Sequence, residues 1–231
     1  MDQQVQKIGC DRWQWSNRGL DGPELGYRRH VPITAKGLAT RQRIVEGAAT
    51  HLRGGEPGQV TLDDIRAITG TSKGQLFHYF PGGKDELLLA VAVYEAGRVL
   101  DDQQPHLGAL TSWAAWLRWR DALVTRYRAQ GAHCPLGSLL AQAGGTPGAY
   151  EVVRTLLAQW RTHVVAGIEA MQAAGQIRAE LDAPRTASAF IAGIQGGVQV
   201  LRSTGSVEDL EAVLDTLIDY LRGPGSPGAT C

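Results

Sequence analysis

The sequence predicts an all-α protein in two parts: an N-terminal three-helix domain with a helix-turn-helix, then a larger helical C-terminal domain. Three observations carry this prediction. Apolar residues recur at spacings of three and four along most of the chain after residue 34. No stretch alternates apolar and polar residues as a half-buried strand would, and clusters of glycine and proline cut the periodic runs at helix-length intervals. With 43% hydrophobic residues in a chain of 231, there is enough apolar surface to bury a sizeable core.

Residues 1–33 carry Gly19, Gly22, Pro23, Gly26 and Pro32 among polar residues, so no period persists and a disordered arm is expected. Arg28, Arg29 and His30 would let such an arm reach DNA backbone or minor groove; an unstructured leader is the competing reading. From Thr34 or Ala35 a helix should run through Leu38, Ile44, Val45, Ala48, Ala49 and Leu52 to Gly54, Gly55 and Pro57. Thr61 opens a second helix whose apolar face is Leu62, Ile65 and Ile68, and Gly70 breaks it. Thr71 or Ser72 caps a third, with Leu76, Phe77 and Phe80 as its apolar set. Ser72, Lys73, Gln75 and His78 remain on its polar side, and these side chains suit phosphate oxygens and base edges. Two short helices about a tight glycine turn make a helix-turn-helix, so residues 34–84 form the DNA-binding domain.

A longer helix from Lys84 to about Asp102 carries Leu87, Leu88, Val91 and Tyr94, and spans nearly 30 Å at ~1.5 Å per residue. Beyond Pro105 every periodic run is helical: residues 110–128, a short helix at 138–143, then 150–174, 183–202 and 207–221. The second domain is thus residues 85–222, and the Gly/Pro-rich tail, 223–231, is expected to be disordered.

The run from Lys36 to Leu88 resembles the N-terminal DNA-binding domain of the TetR family of transcriptional regulators. The anchors are Thr40-Arg41-Gln42-Arg43-Ile44, Thr61, the stretch Ser72-Lys73-Gly74-Gln75-Leu76-Phe77-His78-Tyr79-Phe80, and Lys84 followed by Asp85-Glu86-Leu87. Phe77 and Tyr79 depart from the family's Tyr and His, which moves the hydroxyl able to reach a phosphate, and Pro81-Gly82-Gly83 is one residue longer than the commonest link. Within this helix-turn-helix the candidate DNA contacts are Thr61, Thr71, Ser72, Lys73, Gln75, His78, Tyr79 and Lys84. Lys73 and Gln75 lie in the first turns of the third helix, where side chains approach base edges, and Thr61, Ser72, Tyr79 and Lys84 at helix starts or flanks that suit phosphates. The family resemblance adds expectations for the other half: it implies that the C-terminal helices form an effector pocket and a dimer interface.

Charge agrees with a local DNA footprint. The whole chain has formal charge zero, yet residues 28–84 hold nine Lys/Arg against four Asp/Glu. Cys10, Cys134 and Cys231 are scattered thiols without metal-ligand spacing, there is no signal-peptide-like or membrane-spanning apolar run, and a soluble protein of the reducing cytoplasm is expected. There is no phosphate-binding glycine loop, nucleophile elbow or His-Glu metal motif, so neither catalysis, a cofactor nor a metal is expected.

Trp113, Trp116, Leu117, Trp160 and Val164 are candidates for a pocket taking a flat apolar effector, with His133, Cys134 and Gln195 as its polar contacts. Aromatic residues at this spacing also serve as plain core. Phe190, Ile194, Gly197, Leu201, Leu210, Leu214 and Leu217 are the candidate dimer contacts, since Gly193, Gly196 and Gly197 in one helix each cost about 1 kcal/mol and invite close approach by another helix. Closure of the monomer core by the same faces is the alternative. The expected function is a homodimeric regulator on an operator duplex, acting as a repressor relieved by a small apolar or aromatic ligand. The alternative is a regulator of this type with a protein partner or no effector.

Overall fold

A computed structural model describes residues 34–54, 61–131, 146 and 148–223. The expected arm, 1–33, the short helix at 138–143 and all of the expected tail but Gly223 lie outside the described residues. The chain divides after Ala39. In the first unit, residues 34–39 begin helix α1 (Ala35–Gly54), where the Thr34 carbonyl accepts the Leu38 N–H at 2.9 Å and its hydroxyl oxygen accepts the Gly37 N–H at 3.2 Å.

In the second unit the described elements are all helical. After the remainder of α1 come α2 (Leu62–Thr69), α3 (Lys73–Tyr79) and α4 (Lys84–Asp101), a 3₁₀ turn at Leu107–Ala109, α5 (Trp113–Gln130), α6 (Ala149–Ala173), α7 (Ala183–Thr204) and α8 (Glu208–Arg222). No helix among the described residues is long and apolar enough to cross a membrane.

Ile44, Val45 and Ala48 of α1, Ile65 of α2, Leu76 of α3, Phe80, and Leu87, Leu88 and Val91 of α4 make the first core. It does not stop at Lys84, where the sequence put the domain boundary: it continues to Ala96 and takes in Ala149, Val152 and Leu156 of α6. The reason is that α4 is apolar on more than one face, and its Val99 and Leu100 pack against both this core and the next. Along α4 two polar ties reinforce the packing. Arg53 of α1 donates to the carboxylate of Glu95, and Arg126 of α5 lies 2.7 Å from Asp102 at the α4 C-terminus.

The second core holds Trp116, Trp119 and Leu123 of α5, Trp160, Val164 and Ile168 of α6, Phe190, Ile194 and Leu201 of α7, and Leu210, Leu214 and Ile218 of α8. The candidate dimer contacts belong largely to this core. Phe190, Ile194, Leu201, Leu210 and Leu214 are at most 1% exposed within a single protomer, Gly197 is buried, and Leu217 is half-buried. They close the monomer because α7 and α8 pack directly on each other. A Cβ on Gly197 would stand 2.8 Å from the Leu210 Cα, and one on Gly193 2.7 Å from a Val213 methyl. Two of the three glycines are therefore explained inside the chain, while a Cβ on Gly196 would meet nothing within 4 Å.

Candidate nucleic-acid interface and effector core

The helix-turn-helix is built by its caps. Thr61 and Asp64 exchange hydrogen bonds at the start of α2: the Thr61 hydroxyl oxygen accepts the Asp64 N–H at 3.2 Å, and Asp64 Oδ2 accepts the Thr61 N–H at 2.9 Å. Asp64 Oδ2 also accepts the Thr61 hydroxyl proton at 2.6 Å. The Thr61 hydroxyl, its strongest effect, and backbone N–H hold the Asp64 carboxyl below its ordinary value. Ser72 and Gln75 repeat the device on α3, each accepting the other's backbone N–H at 3.2 Å. Between them, Gly70 takes φ 59° and ψ 32°, a left-handed conformation that glycine enters without strain, and turns the chain from α2 into α3. Arg43 of α1 donates to the Thr69 carbonyl at that turn. Thr61→Ala and Ser72→Ala are each expected to lower folding stability by about 1 kcal/mol, measurable as a fall in urea midpoint at unchanged slope.

The expected DNA contacts divide by what this geometry leaves accessible. Ser72, Lys73, Gln75 and His78 are exposed together on α3. Tyr79 is half-buried, edge-on to His78 with ring centroids 4.9 Å apart, and Lys84 is half-buried at the first position of α4. Thr61 is exposed, but its hydroxyl proton already belongs to Asp64. Thr71 is a correction: it is only 4% exposed, with its hydroxyl 2.8 Å from that of Thr69, so it serves the turn and presents almost no surface to a phosphate. Gln75 faces outward with its carbonyl oxygen on the Ser72 N–H, which leaves its amide N–H groups to donate.

Two apolar assignments also change. Ile68 and Phe77 are 50% and 42% exposed. Each was placed by spacing, yet Phe77 follows Leu76 immediately and so points ~100° away from it on a helix, and along this short stretch only Leu76 and Phe80 are fully buried, with Tyr79 packed against the core from its side. The adjacency of the two was the signal that one of them must face out. Arg41 lies over the Phe80 ring at 4.9 Å; burial, the dominant effect, pushes its guanidinium down while Glu86 pulls it up.

In the second core, Trp116, Trp160 and Val164 are fully buried, and Trp116 lies 5.7 Å from Trp119 and 5.3 Å from Phe190 between ring centroids. Trp119 Nε1 donates to buried Gln103 at 3.0 Å. The indole N–H groups of Trp116 and Trp160 are buried with no acceptor among the described residues. Each such donor costs about 1–3 kcal/mol, and buried donors of this kind are uncommon. Burial also pushes the half-buried His163, on the same helix as Trp160, below its ordinary value. Trp113 is half-buried beneath the Arg222 guanidinium at 5.3 Å. Leu117 and Gln195 do not join this group: Leu117 is 41% exposed and Gln195 is exposed, because each faces out from a helix whose opposite side is in the core. His133 and Cys134 lie outside the described residues. Among the described residues no cluster of His, Cys, Asp and Glu could hold a metal ion.

Comparison with known proteins agrees with both halves. Residues 44–91 match the family described as bacterial regulatory proteins, tetR family, and residues 109–228 match the tetracyclin repressor-like C-terminal domain. The second match alone covers half of the chain. The protein belongs to the TetR family.

The chain is also similar to individual relatives and solved structures. An HTH-type transcriptional regulator of Mycobacterium tuberculosis is 32% identical over 111 residues, 45% of this chain and 53% of that one. The chain thus spans about half the length of this relative. The transcriptional regulator AcuR of Cereibacter sphaeroides is 26% identical over 186 residues, covering 76% of this chain and 81% of AcuR. A TetR transcriptional regulator from Chloroflexus aurantiacus superposes with a TM-score of 0.68 at 28% identity, over 82% of this chain and 98% of that structure.

Proposed function

We propose that the protein is a sequence-specific DNA-binding transcriptional regulator, a homodimeric repressor released from a palindromic operator by a small apolar or aromatic ligand. The observation that carries this reading is α3, capped and held against α1, α2 and α4, displaying Ser72, Lys73, Gln75 and His78 on one open surface. Side chains of these types donate to phosphates and base edges in the major groove. Support for a ligand comes from the unpartnered Trp116 and Trp160 N–H groups, which an acceptor-bearing molecule entering between α5 and α6 would satisfy.

A dimer face follows from what the monomer core leaves outside. Ala192, Gly196 and Val200 of α7 and Thr216 and Tyr220 of α8 are exposed, and the small residues among them let another helix approach closely. Two copies paired by a twofold axis would set their α3 helices on half-sites about 34–36 Å apart.

The test is to enrich a duplex from a random pool and measure affinity against salt. Wild type is expected to select a palindrome, and Lys84→Ala to weaken all duplexes alike while flattening the salt slope by about one. A wild-type protein that enriches no sequence overturns the reading. Effector affinity with and without the enriched duplex then separates ligand-released regulators from those without an effector, because linkage requires the two affinities to differ by the same factor that the ligand imposes on DNA binding.

A further inference from the structure

Gly74 has no reason to be a glycine inside the protomer. It occupies the second position of α3, it is exposed, and a Cβ built on it would meet no heavy atom within 4 Å. It is not among the glycines with positive φ, so its backbone suits any L residue. Gly47 and Gly70 in the same half are accounted for: a Cβ on Gly47 would strike a Thr69 methyl at 2.6 Å, and Gly70 is left-handed. At an exposed helical position alanine is better than glycine by up to about 1 kcal/mol. The reason for the missing side chain therefore lies in whatever α3 meets.

Its place on the helix says what that is. Leu76 and Phe80 define the buried side of α3, so Gly74 and His78, one turn apart, lie nearest the middle of the opposite side, with Lys73 and Gln75 flanking Gly74. A helix of about 10–12 Å diameter fills a major groove about 12 Å wide, and a side chain at the middle of the inserted face sets how deep it goes. We infer that Gly74 is the point of closest approach between α3 and the groove floor. It determines specificity by leaving room for a thymine C5-methyl, the bulkiest group on that floor, at the base pair it faces. This inference rests on the DNA-binding reading above.

The experiment uses the full chain and the duplex enriched by the wild type. Gly74→Ala is expected to unfold at the same or higher urea concentration, to bind that duplex at least about tenfold more weakly, and to bind a random duplex as the wild type does. Replacing thymines in each half-site one at a time by uracil, which removes only the methyl, should recover part of the loss at one position. Wild-type affinity of Gly74→Ala for the enriched duplex, or a lower stability of the variant, overturns the inference. A loss of affinity that no uracil relieves overturns the thymine assignment. Because the wild type must first enrich a sequence, failure of the DNA-binding reading itself would be seen before any variant is compared.

Discussion

Gly197→Val is expected to cost about 3 kcal/mol or more of folding stability, whereas Gly196→Val, one residue away, should leave the protomer folded and separate the dimer. The difference is geometric. At 197 the first added carbon would lie 2.8 Å from the Leu210 Cα and 3.0 Å from its Cβ, and backbone cannot move aside as a flexible side chain can. The helices α7 and α8 would have to part, opening contacts among Ile194, Leu201, Leu210 and Leu214, all at most 1% exposed. Overpacking of this kind usually costs about 1–3 kcal/mol, and more when main chain must shift. At 196 there is open space. Valine there fits the monomer, and at the proposed dimer face of Ala192, Gly196 and Val200 it would place a branched side chain between two copies. Urea unfolding and sedimentation velocity on both variants distinguish the cases. A Gly196→Val protein that stays dimeric at micromolar concentration would remove this face as the interface, and a Gly197→Val protein of wild-type stability would contradict the α7–α8 packing.

That pair also shows how far the sequence could be read. The spacing of Phe190, Ile194 and Leu201 correctly marked a buried stripe, and the glycines correctly marked close helix approach. Periodicity states which residues are buried, however, and carries no information on whether the covering helix belongs to the same chain. The same limit appears at the DNA-binding end. Thr61, Gly70 and Ser72 were legible as caps and turn because capping is a local interaction between residues three apart. Thr71 was not, since its burial depends on how the turn folds back on Thr69. Helix α4 was legible as one long helix, but its sharing between two cores depends on α6, roughly sixty residues later. Leu117 was grouped with the tryptophans as their neighbour in sequence and Gln195 as a polar contact from another helix, and only the rotation of α5 and α7 decides that both face outward.

Arg53→Met is expected to lower stability by roughly 3 kcal/mol at neutral pH and by little near pH 4. Glu95 is only 4% exposed on α4, and burial, the largest effect on it, pushes its carboxyl above the ordinary value against the pull of Arg53 and Arg98. A carboxyl whose folded value is raised favours folding in its protonated form. Its contribution is fully present below the unfolded value of about 4.5 and is lost as pH rises through the folded value. Removing Arg53 takes away the cation that donates directly to Glu95, leaving Arg98 at 4.0 Å, so the folded value must climb further. The unfolded value is common to both proteins, so the difference between variant and wild type opens as pH rises through the raised folded value of the wild type and widens until it passes the still higher value of the variant. Breaking one side of a buried pair costs about 3–5 kcal/mol, and protonation of the carboxyl, at about 1.4 kcal/mol per pH unit, keeps the loss toward the lower end of that range. Urea unfolding from pH 4 to 8 measures the effect, and Glu95→Gln in the same background should flatten it because no charge is left to bury. A loss independent of pH would mean that Glu95 reaches solvent once Arg53 is gone. The tie between α1 and α4, and with it the stiffness of the helix that joins the DNA-binding face to the tryptophan core, would then rest on apolar packing alone.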